Sequence, residues 1–256
     1  MPLPSPRALR RALPAALAAG VVLLAGPGAG PAAAAKKHAP CPTGGRTIAK
    51  DTGPNLRVWR EGSTLKACTR KTGQRRYVRT LGPWTSRTKV ATGEGAVAWT
   101  TARTTEAGPV DSITSIDVRT GKRWLQTTRA ALAPDAATPA SDDRVLRLLT
   151  SGRGTAWVTS RGVVAAAVRT IDDESSTYYG AGVPGTTPFH AGRRFFLGDA
   201  GPAAAAAVAQ GLRLDVGGEG DECGGTNAYE VEVPAFGGRP DMTFWYASEH
   251  YAVPDC

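Results

Sequence analysis

Short apolar runs of four to seven residues, each cut off by glycine or another turn-forming residue, recur along this 256-residue chain. Leu56-Arg57-Val58-Trp59 stops at Glu61-Gly62 and is followed by Thr64-Leu65-Lys66-Ala67-Cys68. Residues 96–100, 112–118 and 145–149 repeat the pattern, and Thr155-Ala156-Trp157-Val158-Thr159 precedes Val163-Val164-Ala165-Ala166-Ala167-Val168. The three residues between that last pair, Ser160-Arg161-Gly162, suit a hairpin. Tyr229-Glu230-Val231-Glu232-Val233 alternates apolar with polar, and Thr243-Phe244-Trp245-Tyr246 forms an aromatic run. Runs this short cannot carry long amphipathic helices, and they predict an all-β fold of antiparallel strands. One short helix is expected near 202–210, where Pro202 opens an alanine run and Gly211 follows it. Residues 133–143, rich in Ala, Pro and Asp, read as an exposed loop.

Two weak internal similarities order these runs. Gly93-Glu94-Gly95-Ala96-Val97-Ala98-Trp99 resembles Gly152-Arg153-Gly154-Thr155-Ala156-Trp157, and residues 69–75 resemble 117–123. In the second pair Gly73 and Gly121 are placed to supply the positive φ of a tight turn. A strand, a tight turn and another strand, returning every 40 to 60 residues, is the pattern of propeller blades. On Val58-Trp59-Arg60, Leu65-Lys66-Ala67-Cys68, Ala98-Trp99, Ala156-Trp157 and the turn from Ile116 to Lys122, the chain resembles exported actinobacterial proteins with β-propeller-like repeats of the TolB and quinoprotein type. The resemblance spans residues 54–171 and implies about four blades, with residues 172–256 departing from the repeat; a β-sandwich is the alternative architecture. Blade motifs describe a scaffold, so the resemblance implies no catalytic or binding residue.

Residues 1–35 read as a cleaved secretory signal peptide. Arg7, Arg10 and Arg11 give a positive start, Ala12 to Ala25 an apolar centre broken by Pro14, and residues 31–35 a small-residue cleavage site before Lys36. The apolar stretch is shorter than the ~20 residues of a membrane span, so no permanent membrane anchor is expected. Pro27 stands where a lipidated cysteine would follow Leu23-Leu24-Ala25-Gly26. Arg10-Arg11 raises a twin-arginine route, which Ala12-Leu13-Pro14 fits poorly. The expected organisation is a leader at 1–35, a flexible basic start at 36–53, and a single β domain at 54–256, secreted to the extracellular side.

Cys41, Cys68, Cys223 and Cys256 make an even set in an exported chain, which predicts two disulfides. No two stand at zinc-site spacing. Cys41–Cys68 with Cys223–Cys256 is favoured, each bridge contributing about 3.5 kcal/mol; Cys41–Cys256 with Cys68–Cys223 stays open.

Charge is unevenly spread. Residues 36–90 carry 14 Lys and Arg against Asp51 and Glu61, whereas residues 199–256 carry 10 Asp and Glu against Arg213 and Arg239. Arg57, Arg60, Lys66, Arg70, Lys71, Arg75, Arg76 and Arg79 are therefore the candidate residues for an anionic partner. For an exported chain that partner is a cell-envelope polyanion, or an extracellular protein, rather than nucleic acid. The opposite reading is that the basic and acidic regions neutralise each other across the fold.

Signs of catalysis are sparse. Of His38, His190 and His250, only the last two lie within the domain, and Glu249 beside His250 points to the opposite face of any strand. Gly198-Asp199-Ala200-Gly201 resembles a serine-protease nucleophile loop with alanine at the nucleophile position, and no G-x-S-x-G elbow occurs. Glu219, Asp221 and Glu222, in a glycine-rich stretch read as a flexible acidic loop, are a weak calcium candidate without the usual ligand spacing. Of six tryptophans, those within strands are expected in the core, leaving Trp84 and Trp124 as the exposed pair. The sequence thus favours a non-catalytic binding protein without a cofactor; a glycosidase- or esterase-like hydrolase using the acidic residues of 199–256 is the alternative.

Overall fold

A computed structural model describes residues 40–51, 55–70, 75–106, 108–127, 130, 143–152, 154–168, 178–181, 189–190, 194–221, 224–238 and 240–252. For 178–181, 189–190, 216–221, 224–229 and 245–252 it describes the backbone alone. The leader, Lys71, the cysteines Cys223 and Cys256, and Glu222 fall outside these residues, as does the pairing expected for the second disulfide.

The strands form four separate antiparallel sheets, and no sheet closes on itself among the described residues. The first is a meander of β1 (Arg46–Asp51), β2 (Leu56–Glu61), β3 (Thr64–Thr69) and β4 (Tyr77–Pro83). The second repeats that order with β5 (Val90–Gly93), β6 (Ala96–Thr105), β7 (Gly108–Asp117) and β8 (Arg123–Gln126). The third contains β9 (Val145–Thr150), β10 (Gly154–Thr159) and β11 (Val163–Val168). The chain then adds β12 (Tyr178–Ala181) to the fourth sheet, and returns to the third with β13 (Phe189–His190) and β14 (Arg194–Asp199). Helix α1 (Gly201–Gly211) leads into β15 (Arg213–Asp221), β16 (Gly224–Val233) and β17 (Met242–Ala252) of the fourth sheet. The all-β expectation and the short helix are thus correct, as is the hairpin between 155–159 and 163–168.

Alternation along the central strands explains the packing. Trp157 and Ala165 are cross-strand partners, as are Ala156 and Ala166. Trp157, Ala165 and Ala167 face Ala98, Ile113 and Leu125 of the second sheet. The intervening Ala156, Val158, Val164, Ala166 and Val168 face Val231, Val233 and Phe244 of the fourth sheet, with Val208 and Leu212 closing the same cluster. Every residue of β10 and β11 is buried, as a strand with two covered faces requires. Small residues on β11 leave the volume that the indole fills, and the Trp157 Nε1–H is satisfied by the Ala130 carbonyl at 2.7 Å. Val97, Trp99, Ile116 and Val118 of the second sheet likewise meet Leu56, Val58, Leu65 and Ala67 of the first.

Successive first strands lie side by side, β1 against β5, β5 against β9, and β9 against β15. Their approach leaves no room for side chains at one point: a Cβ on Gly93 would sit 2.3 Å from the Thr150 carbonyl. Asp51 Oδ2 accepts from the Glu94 amide at 3.1 Å, and Glu94 Oε2 from the Gly152 amide at 3.0 Å, linking three sheets through two carboxylates. Ser115, Thr155 and Thr150 form a buried chain of hydroxyls at 3.0 and 2.9 Å between the second and third sheets.

Four sequence readings need correction. Strand β1 lies inside the stretch read as a flexible start, because the adjacent Ile48 and Ala49, at a bulge, pack on the first core while Thr47 and Lys50 on either side are exposed. Asp143, read as part of an exposed loop, is fully buried: its amide donates to the Pro109 carbonyl and its carbonyl accepts from Asp111. The acidic stretch containing Glu219 and Asp221 is strand, with Gly217, Gly218 and Gly220 paired to Ala228, Asn227 and Gly225. Trp84 and Trp124 are half-buried, each packed at the margin of a core cluster.

Two outcomes follow from this packing. Trp157→Ala is expected to lower unfolding free energy by about 3–5 kcal/mol in urea titrations, and Trp157→Phe by about 1–2 kcal/mol through the orphaned carbonyl. Burial raises the carboxyl pKa of Asp111 above 3.8, against the lowering effects of the Val145 amide and of Arg144, Lys89 and Arg87. The folded state therefore holds this proton more tightly than the unfolded chain, and stability falls as pH rises from about 3.8 through the folded value. Asp111→Asn, which can still accept from Val145, should remove that fall, read as a stability gain over wild type that is present at pH 7 and absent at pH 3.

Candidate functional site

The outward face of the first sheet is crossed by residues 41–45, and a disulfide holds them there. Cys41 and Cys68 are bonded, with Cα atoms 5.8 Å apart, which bears out the first of the favoured pairings. Because Arg57 and Cys68 are direct cross-strand partners, the guanidinium projects beside the bridge. Its Nη1 donates to the Pro42 carbonyl. Nη2 lies 3.0–3.2 Å from the carbonyls of Thr43, Gly44 and Gly45, and Nε 3.0 Å from Thr47 Oγ1. One arginine thus satisfies a row of backbone acceptors that no strand would otherwise meet. The strap closes over Trp59, which is only 3 % exposed. Gly45 is needed for that contact: its φ is +73°, and a Cβ there would fall 2.5 Å from the Trp59 ring.

Beside Cys41, where the strap begins, lies a cleft of about 320 Å³ lined by Pro40, Cys41, Lys50, Asn55, Leu56, Arg57 and Arg70. Three lining residues are cationic and none is acidic. Arg70 Nε is buried and has no hydrogen-bond partner among the described residues. Lys50 is exposed, at a position where β1 pairs it directly with Arg57.

The eight basic residues singled out in the sequence do not form one patch. Arg57 and Arg70 line the cleft. Arg60 stacks on Trp84, its Cζ 4.5 Å from the ring centroid. Lys66 pairs with Glu61. Arg76 donates to the Pro40 carbonyl at 2.9 Å, and so helps hold the strap. Arg79 crosses to the second sheet, donating to the Val118 and Arg119 carbonyls at 3.1 and 3.0 Å. Arg75 is exposed. Sequence reading missed Lys50 and Asn55 because both fall at the border of the stretch taken as flexible. No period-two alternation marks β1, since Ile48 and Ala49 are adjacent and a bulge between Thr47 and Ala49 shifts the register there.

Two carboxylates of the last third accept from backbone amides close by in the chain. Asp199 Oδ1 accepts from the Gly201 amide at 2.8 Å, and Asp241 Oδ1 from the Ala235 amide at 2.7 Å. No group of three or more His, Cys, Asp or Glu residues is arranged to hold a metal ion among the described residues. The side chains of Glu219, Asp221, His190 and His250 lie outside the description. No helix among the described residues is long and apolar enough to cross a membrane.

No protein-family pattern matches the chain, and no curated protein matches it in sequence. Two solved structures of Kluyveromyces lactis Hsv2p are similar at 9 % and 10 % identity, each with a TM-score of 0.24, covering 82 % of this chain and 75 % of theirs.

Opening the Cys41–Cys68 bridge should detach the strap. Cys41→Ser is expected to cost about 3.5 kcal/mol in urea unfolding, with a red shift of tryptophan emission as Trp59 becomes wet.

Proposed function

We propose that the protein is an exported, non-catalytic binding module on a propeller-like stack of four sheets, which docks onto anionic cell-envelope polymers through its first sheet. The observation that carries the reading is the cleft in which Lys50, Arg57 and Arg70 gather with no lining carboxylate among the described residues. Charges of one sign in a concave, partly dry surface attract a polyanion more strongly than the same charges scattered over a convex one. Export is supported by the leader-like residues 1–35 and by the disulfide, which persists in oxidising surroundings. The propeller-like reading is supported by the side-by-side first strands and by equivalent hairpins. Residues 94–95 join β5 to β6 in the second sheet, and β9 pairs with β10 likewise in the third. The turn at 118–122 joins β7 to β8, and β3 pairs with β4 in the same antiparallel way.

The test is retention of the oxidised chain on the producing organism's envelope fraction, followed by a salt gradient. Retention at low salt and release at moderate salt are expected, since exposed charge pairs are screened over about 8–10 Å at such ionic strength. An unretained chain at low salt overturns the docking reading.

A further inference from the structure

We infer that the cleft beside Cys41, at the start of the strap, is a site for a phosphoryl group carried on a small organic body. This narrows the envelope-docking proposal and rests on it. Charge is the first argument. Lys50, Arg57 and Arg70 line one cleft without a lining acid among the described residues. A single carboxylate would offset one of these charges, whereas a phosphate monoester brings about −1.5 to −2 and three strong acceptor oxygens.

Unused donors are the second argument. Arg57 is already committed through Nε, Nη1 and Nη2 to Thr47 and the strap carbonyls, so it supplies a fixed positive field. Arg70 is different: its Nε is buried with no partner among the described residues. Buried N–H groups are nearly always paired, and an unpaired one on a cation is costly. An acceptor in the cleft removes that cost. Lys50 forms no ion pair among the described residues and stands beside Arg57 with its ammonium available. Asn55 adds an amide donor at the same rim.

Size is the third argument. A volume of about 320 Å³ far exceeds what a phosphoryl group fills, given roughly 30 Å³ per water molecule. Pro40 and Cys41 supply an uncharged part of the lining, room for the carbon skeleton of a phosphate ester. That ester is either a free small molecule or a unit of an envelope polymer; the chemistry of recognition is the same.

The experiment titrates the oxidised chain with glycerol phosphate, inorganic phosphate and acetate at constant ionic strength, for wild type, Lys50→Ala, Arg70→Gln and Arg75→Ala. Glycerol phosphate should bind at one site at least tenfold more tightly than acetate. Lys50→Ala and Arg70→Gln should each weaken it by about tenfold or more, the scale of a lost charge-assisted hydrogen bond. Arg75→Ala, outside the cleft, should leave it unchanged. Near-UV circular dichroism checks folding, and exposed Lys50 keeps the test decisive should Arg70→Gln not fold. Release of the envelope-bound chain by glycerol phosphate identifies the polymer as the source; saturable binding without release identifies a free ester. Equal binding of acetate and glycerol phosphate, or unchanged binding by Lys50→Ala and folded Arg70→Gln, overturns the site. Salt-sensitive envelope retention without glycerol phosphate binding would overturn the phosphoryl site alone, and absent retention the docking reading itself.

Discussion

A sheet that is apolar on both faces has to be covered twice, and the third sheet makes that demand on the whole molecule. Alternate residues of β10 and β11 belong to two different cores, one shared with the second sheet and one with the fourth. Neither covering sheet can leave without exposing a layer led by Trp157 or by Val158 and Val164. The hydrophobic term is proportional to apolar area removed from water, so this double layer outweighs any single polar contact in the fold. The second sheet passes the demand outward, because its own far face bears Val97, Trp99 and Ile116. The first sheet ends the series differently: its outer face holds Trp59 and is sealed by a strap of five residues instead of another sheet.

Sealing a sheet with irregular backbone creates a problem of polar satisfaction. Strap carbonyls have no ladder to join, and Arg57 and Arg76 supply the missing donors. Arg79 does the same at the turn after β7. Much of the basic surplus of the first third is therefore internal carpentry. Planar guanidinium groups with five donors suit this role in a way that lysine would not. What distinguishes Arg70 is that its Nε is buried and meets no acceptor among the described residues.

Sequence pattern conveyed the elements better than their arrangement. Strands with clean alternation or solid apolar runs, such as 56–61, 96–105 and 163–168, were legible because each face has one neighbour to satisfy. The helix was legible from Pro202 and Gly211, although the latter lies within its last turn. β1, β4 and β5 were not, since they are short, largely polar and defined by pairing. The buried state of Asp143 was also hidden, as it depends on backbone bonds to Pro109 and Asp111 rather than on its neighbours in the chain. At the cleft, Arg57 and Arg70 were visible as charges. Lys50 and Asn55 were invisible as partners, because only the β1–β2 register and the strap bring them to one place.

The excursion of β12 has a bearing on how the chain acquires its form. Tyr179 pairs with Trp245 and Gly180 with Phe244, while β13 and β14, which follow β12 directly, belong to the preceding sheet. The edge strand of the last sheet thus precedes its partner β17 by about 60 residues and must wait for it. Contacts so distant in sequence close slowly. Until they do, β12 is an unpaired edge, open to pairing with another chain.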